Sequence, residues 1–156
     1  MLRLATIGYE GATVPGFLAT LRAADVDLLV DVRAVAGSRR PGFAKTRLAA
    51  HLAEGGIDYL HLRALGTPAD GRAAARAGDR AAMRRIFAAH LATDAAQDAL
   101  AHLATLVTAG RRVCLLCLEA EPAHCHRALV AAALAERLPV AVVHLHPADV
   151  APDPDR

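Results

Sequence analysis

The chain has 156 residues, 54% of them apolar and only 3% aromatic, with a formal net charge of +2. That length suits one domain with material for a real core, which argues against a disordered chain, and the charge is too small to demand a polyanionic partner. Three cysteines argue against a disulfide framework.

RLATIG, Arg3–Gly8, reads as a buried strand. Thr13 then suits the N-cap of a helix through VPGFLATLRAA, with Phe17, Leu18 and Leu21 on one face. VDLLVDVR, Val26–Arg33, is almost continuously apolar and reads as a central strand. After the loop AVAGSRRPGF comes AKTRLAAHLAEGG, a helix with Leu48 and Leu52 at i, i+4 and a glycine pair as its stop. IDYLHL is the third strand. Pro68 to Gly110 is mostly helix, with a break where Thr93 or Asp94 can cap a second segment. RRVCLLCL is the fourth strand, EPAHCHRALVAAALAERL carries the next helix with Pro122 as its first residue, and VAVVHLH is the fifth strand. A Pro/Asp-rich tail, 149–156, is expected to fray from a single domain spanning 1–156.

This alternation predicts an α/β fold of three layers: a mostly parallel sheet of about five strands with helices on both faces, joined by right-handed crossovers. Sites in such folds collect beyond the carboxyl ends of the strands. The strand exits carry Gly8-Tyr9-Glu10, Asp31-Val32-Arg33, Leu65-Gly66, Cys117-Leu118-Glu119 and His144-Leu145-His146, which include most of the distinctive polar residues.

Cys114 and Cys117 look like a CxxC pair but lie on a predicted strand, where an odd offset sends them to opposite faces, roughly 10 Å apart. Cys114 is therefore expected in the core, and Cys117 at the strand exit, where it can meet Cys125. With the helix starting at Pro122, Cys125 and His126 fall in its first turn, where free N–H groups and the helix dipole favour a thiolate or a bound anion. Arg127 adds a bidentate grip. The candidate catalytic groups are thus Cys117, Glu119, Cys125 and His126, with thiol nucleophile and proton carrier left open between them. Zinc is an alternative occupant: Cys117, Cys125 and His126, with His124 or Glu119, are suitable ligands, and His61, His144 or His146 would have to arrive from other strands. Packing and hydrogen bonding without chemistry is the simpler reading of the same residues.

Walker-type and dinucleotide fingerprints are missing, and neither Cys117 nor Cys125 has the spacing to Arg127 of a phosphatase or rhodanese loop. Asp31 and Arg33 share one strand face and can pair. Arg33, Arg39, Arg40, Lys45 and Arg47 form a basic segment fit for phosphate or nucleic-acid backbone, or simply a solvated loop. Tyr9 and Glu10 can position a substrate or exchange a proton. Arg72, Arg76, Arg80 and Arg84, spaced by four, are expected on a solvated helix face. His51, His90 and His102 are expected on helix surfaces. The opening MLRLATIGYEG lacks the parts of a secretory leader and no apolar run spans a bilayer, so a cytoplasmic location without a membrane is expected.

TIGYEG, LLVDVRAVAGSRRPGF, GIDYLHLRALG and VCLLCLEAEPAHCHR, in that order, resemble the domain of unknown function 488 (DUF488) family across about Leu4 to His146. The resemblance implies a small cytoplasmic prokaryotic α/β protein, and its recurring polar positions map to Tyr9, Asp31, Arg33, Ser38, Arg39, Cys117, Glu119, Cys125, His126 and Arg127. Two positions depart from the family pattern: Ala36 replaces a proline, and Thr67 stands where a second glycine would allow positive φ. The expected function is an enzyme or binding protein for a phosphorylated or otherwise anionic small molecule or nucleotide, with Gly8, Tyr9, Glu10, Asp31, Arg33, Ser38, Arg39 and Arg127 binding. A nucleic-acid-binding or regulatory module using the arginine-rich loop and helix is the rival, and a zinc protein the third possibility.

Overall fold

The structure, a computed structural model, describes residues 2–122 and 125–147. His124 and the tail 149–156 lie outside the described residues. The chain forms β1 (Leu2–Gly8), α1 (Val14–Ala23), β2 (Leu28–Asp31), α2 (Lys45–Glu54) and β3 (Asp58–His61). A 3₁₀ turn (Arg63–Leu65), α3 (Ala69–Arg76), α4 (Arg80–Leu91), α5 (Asp94–Thr108), β4 (Val113–Cys117), α6 (His126–Arg137) and β5 (Val140–Leu145) follow. The five strands are all parallel, in the order β3-β2-β4-β1-β5.

Each inner strand is apolar on both faces because helices cover both. Leu4, Leu28, Val30, Val113, Leu115 and Cys117 face one core, closed by α4, α5 and α6 through Phe87, Leu103 and Val130. Ile7, Leu29, Cys114 and Leu116 face the other, closed by α1 and α2 through Phe17, Leu21, Leu48 and Leu52. Cys114 and Cys117 thus part to opposite faces, as strand alternation requires.

The caps at Thr13 and Thr93 form as expected: each side-chain oxygen accepts a backbone N–H three residues on, from Gly16 and Ala96. Two boundaries differ from the sequence reading. The helical stretch after Pro68 breaks twice, because Gly78 adopts a left-handed φ of +77° and Asp79 then caps α4 through Ala82 N. The last helix begins at His126 instead of Pro122, with Cys125 as its N-cap residue in extended conformation. Ahead of it Cys125 N donates to Pro122 O at 3.1 Å.

Strand order fixes where a site can form. β1 leads through α1 to β2 on one side, and β4 leads through α6 to β5 on the other. These two strands are neighbours whose exits diverge to opposite faces, which opens a crevice beyond Gly8 and Cys117. Among the described residues no helix is long and apolar enough to cross a membrane.

Candidate functional site

A cavity of about 410 Å³ fills that crevice. Tyr9, Glu10, Arg33, Cys117, Glu119 and His126 line it from the strand exits, and Thr67, Arg72, Arg76 and Met83 line it from the α3–α4 side. Asp31, Ser38, Arg39, Cys125 and Arg127 are not among the residues that line it.

One flank rests on a buried ion pair. Asp31 is fully buried and accepts from Arg33 N at 3.0 Å, Nε at 2.9 Å and Nη2 at 2.7 Å, and from the Tyr59 hydroxyl. Arg33 Nη1 donates to Phe43 O at 2.8 Å and to Tyr9 Oη at 3.3 Å. Burial alone would weaken the charge on Arg33, but Asp31 outweighs it and holds the guanidinium firmly protonated. Burial, reinforced by the Asp31 carboxylate, pushes the Tyr59 hydroxyl well above its ordinary range. Tyr9 stacks on Phe43 at 4.8 Å between centroids, so the network fixes the wall's shape as much as its charge. His61 Nε2 donates to Arg33 O at 2.7 Å, which commits that imidazole to the loop after β2.

The opposite flank is a buried sulfur–imidazole cluster. Cys117 Sγ lies 3.5 Å from His126 Nδ1, and Cys125 Sγ lies 3.9 Å from the same nitrogen. His126 Nε2 sits 2.6 Å from the Val32 carbonyl, which can only accept, so Nε2 carries a proton and Nδ1 faces the sulfurs. The Cys117 thiol also reaches Glu119 Oε2 at 3.8 Å. The imidazole is nearer Cys117, yet negative charge settles on Cys125. A hydrogen bond to Cys125, then burial and the Glu119 charge, drives the Cys117 thiol up. Burial would raise Cys125 too, but hydrogen bonds from Cys117 and His126, with the charges of His126 and Arg127, bring it well below its ordinary value. For His126 burial works downward and the Cys125 contacts overcome it, so its pKa is raised. Burial, then the Cys125 charge, pushes the Glu119 carboxyl up to about 7.

Arg127, expected to grip an anion, is fully buried with its nitrogens turned to the protein. Nη1 donates to Glu119 O, Nη2 to Ala120 O at 3.2 Å and Nε to Thr6 Oγ1 at 3.3 Å. It binds the loop after β4 to β1. Glu10 supports the same loop, accepting from Ala120 N at 3.3 Å. Gly8 lies under that loop and leaves room for the Glu119 carbonyl. Ser38 Oγ accepts from Arg40 N at 3.1 Å within its own loop, and Arg39 is exposed.

Sequence reasoning left Arg72 and Arg76 on a solvated face. The break at Gly78 splits the arginine stripe: half-buried Arg72 and exposed Arg76 also line the cavity, while exposed Arg80 and Arg84 on α4 do not. Arg72 Nη1 donates to Thr67 O at 2.9 Å. Gly71 was the available signal: it is buried, and a Cβ there would come 2.5 Å from Thr67 Cγ2, so α3 packs closely on the cavity wall. Thr67 itself needs no glycine, because Asp25 is the one non-glycine at positive φ among the described residues. His90, expected on a surface, is half-buried and donates from Nε2 to Ala64 O at 2.7 Å.

Thr6 links the loop anchor to the edge strand. Its oxygen receives Arg127 Nε at 3.3 Å and lies 2.6 Å from His144 Nδ1, within hydrogen-bond distance. Burial lowers the His144 pKa below its ordinary 6.5, and the Arg127 and His146 charges lower it further against the opposing pull of Glu121. A lowered folded-state value means that this contribution to stability is complete above pH 6.5 and is lost as pH falls below it. Hydrogen exchange is expected to show β5 amides losing protection between neutral and mildly acidic pH. A His144→Gln variant, with no proton to gain, should show a flatter profile; equal profiles would count against the relay.

The family model for the domain of unknown function DUF488 matches residues 13–134. No curated protein and no solved structure matches the chain.

Proposed function

The chain belongs to the DUF488 family, and within it we propose that this protein is an enzyme acting on an anionic small molecule in the crevice beyond β1 and β4. The observation that carries the reading is the meeting of two kinds of wall in one cavity. Cys117, His126 and Glu119 offer a reacting side, and Arg72 and Arg76 of α3 line the same cavity. Arg33 contributes little free charge, since Asp31 neutralises it. The substrate's anionic group therefore pairs with α3, because arginine matches phosphate and carboxylate geometry bidentately. That pairing turns the remainder of the substrate toward Cys117 and Glu119, where a carboxylate beside a sulfur can accept and return a proton.

Isothermal titration with inorganic phosphate tests the anion half. Wild-type protein should bind it saturably. The Arg72→Ala/Arg76→Ala variant should bind it roughly tenfold more weakly or worse, from the loss of charge-assisted hydrogen bonds. Arg80→Ala/Arg84→Ala, on the exposed face of α4, should leave the affinity unchanged. Equal affinity in the first variant and wild type would end this assignment.

A further inference from the structure

We infer that Cys117, Cys125 and His126 form a zinc site whose fourth position opens into the cavity. The donor atoms of these three buried residues lie within 4.8 Å of one another. Tetrahedral zinc with two thiolates and one imidazole requires sulfur–nitrogen edges of about 3.6 Å and a sulfur–sulfur edge of about 3.8 Å. The sulfur–nitrogen separations are 3.5 Å and 3.9 Å, so small side-chain movements close the site.

The surroundings match a metal ligand set in three further ways. His126 donates Nε2–H to the Val32 carbonyl, which fixes the tautomer and leaves Nδ1 as the ligand atom. Two thiolates and an imidazole favour a borderline-soft cation and disfavour magnesium or calcium, which take oxygen ligands. Among the described residues only three ligands converge, and two of them, Cys117 and His126, line the cavity. Three protein ligands with an accessible fourth position is the arrangement of zinc sites that act on substrates; a structural site is closed by four. The Glu119 carboxylate, 3.8 Å from Cys117 Sγ, lines the same cavity without belonging to the triad. A zinc ion there would act as a Lewis acid toward a group in the cavity. That role rests on the reading of the cavity as an active site, whereas the metal site itself does not.

Cobalt substitution of the full chain, purified under a reducing agent, tests the site directly. Wild-type protein titrated with Co²⁺ should show thiolate-to-metal absorption in the near ultraviolet and the visible bands of tetrahedral cobalt, saturating at one equivalent and displaced by Zn²⁺. Loss of an outer-shell partner costs a metal site about 10- to 100-fold in affinity, so Cys117→Ser and Cys125→Ser should each cost about 100-fold or more. Cys114→Ala, on the other sheet face, should keep the spectrum. Absence of the thiolate band in wild type overturns the inference whether or not the variants fold, as does an unaltered spectrum in folded Cys117→Ser and Cys125→Ser. Phosphate titration of the metal-free protein reads the anion-binding arginines separately, since neither is a ligand.

Discussion

Asp31→Ala is expected to destabilise the fold by about 3–5 kcal/mol, the usual cost of removing one partner from a buried ion pair. Asp31 is fully buried, and its loss leaves the Arg33 guanidinium uncompensated and the Tyr59 hydroxyl without its acceptor. Against a total stability of roughly 5–15 kcal/mol, such a loss approaches unfolding for an average domain. Urea denaturation monitored by circular dichroism measures it. The charge, more than the packing, is at stake, so Asp31→Leu/Arg33→Met should recover much of the stability lost in Asp31→Ala. A loss below about 1 kcal/mol in the single variant would mean that the pair contributes no more than an exposed one.

Gly8→Ala should disable the site without touching any polar side chain. A Cβ at Gly8 would stand 1.7 Å from the Glu119 carbonyl oxygen and 2.4 Å from its carbon. Both are backbone atoms, so no rotamer change relieves the overlap. The loop after β4 must move as a whole, away from the Arg127 guanidinium that holds the same carbonyl. Overpacking of this kind costs typically 1–3 kcal/mol and here belongs at the top of that range or beyond, because the obstruction is rigid. The displaced loop carries Glu119 and leads into Cys125, so phosphate affinity and the cobalt spectrum should both change in a protein that still folds. Thermal denaturation and the two titrations together decide this; wild-type values in all three would show that the loop yields freely.

Much of the fold was legible in the order of residues. Apolar runs such as LLV, ahead of Asp31, and VCLLC are buried on both faces because they offer no polar side, and that alone requires helices above and below. Thr13 and Thr93 mark helix starts through chemistry confined to one turn. The odd offset of Cys114 and Cys117 settles that they cannot face each other. Local patterns failed where two neighbouring signals competed. Pro122 suits a first helical turn, yet α6 begins only at His126, with Cys125 as its N-cap residue. Gly78 sits within an alanine-rich run whose helix propensity obscured it.

The sequence by itself determined the alternation of strands and helices, the parallel sheet and the presence of Tyr9, Arg33, Cys117 and Glu119 at strand exits, because these follow from periodicity and from residues a few positions apart. Only the tertiary structure decided that β4 lies between β2 and β1, that Arg127 turns inward to the loop carbonyls, and that Arg72 and Arg76 line one cavity with Cys117. Those outcomes depend on which distant surfaces pack together. An arginine's side chain goes wherever the folded chain leaves unpaired carbonyls or an open wall, and neither exists until the strands are in order.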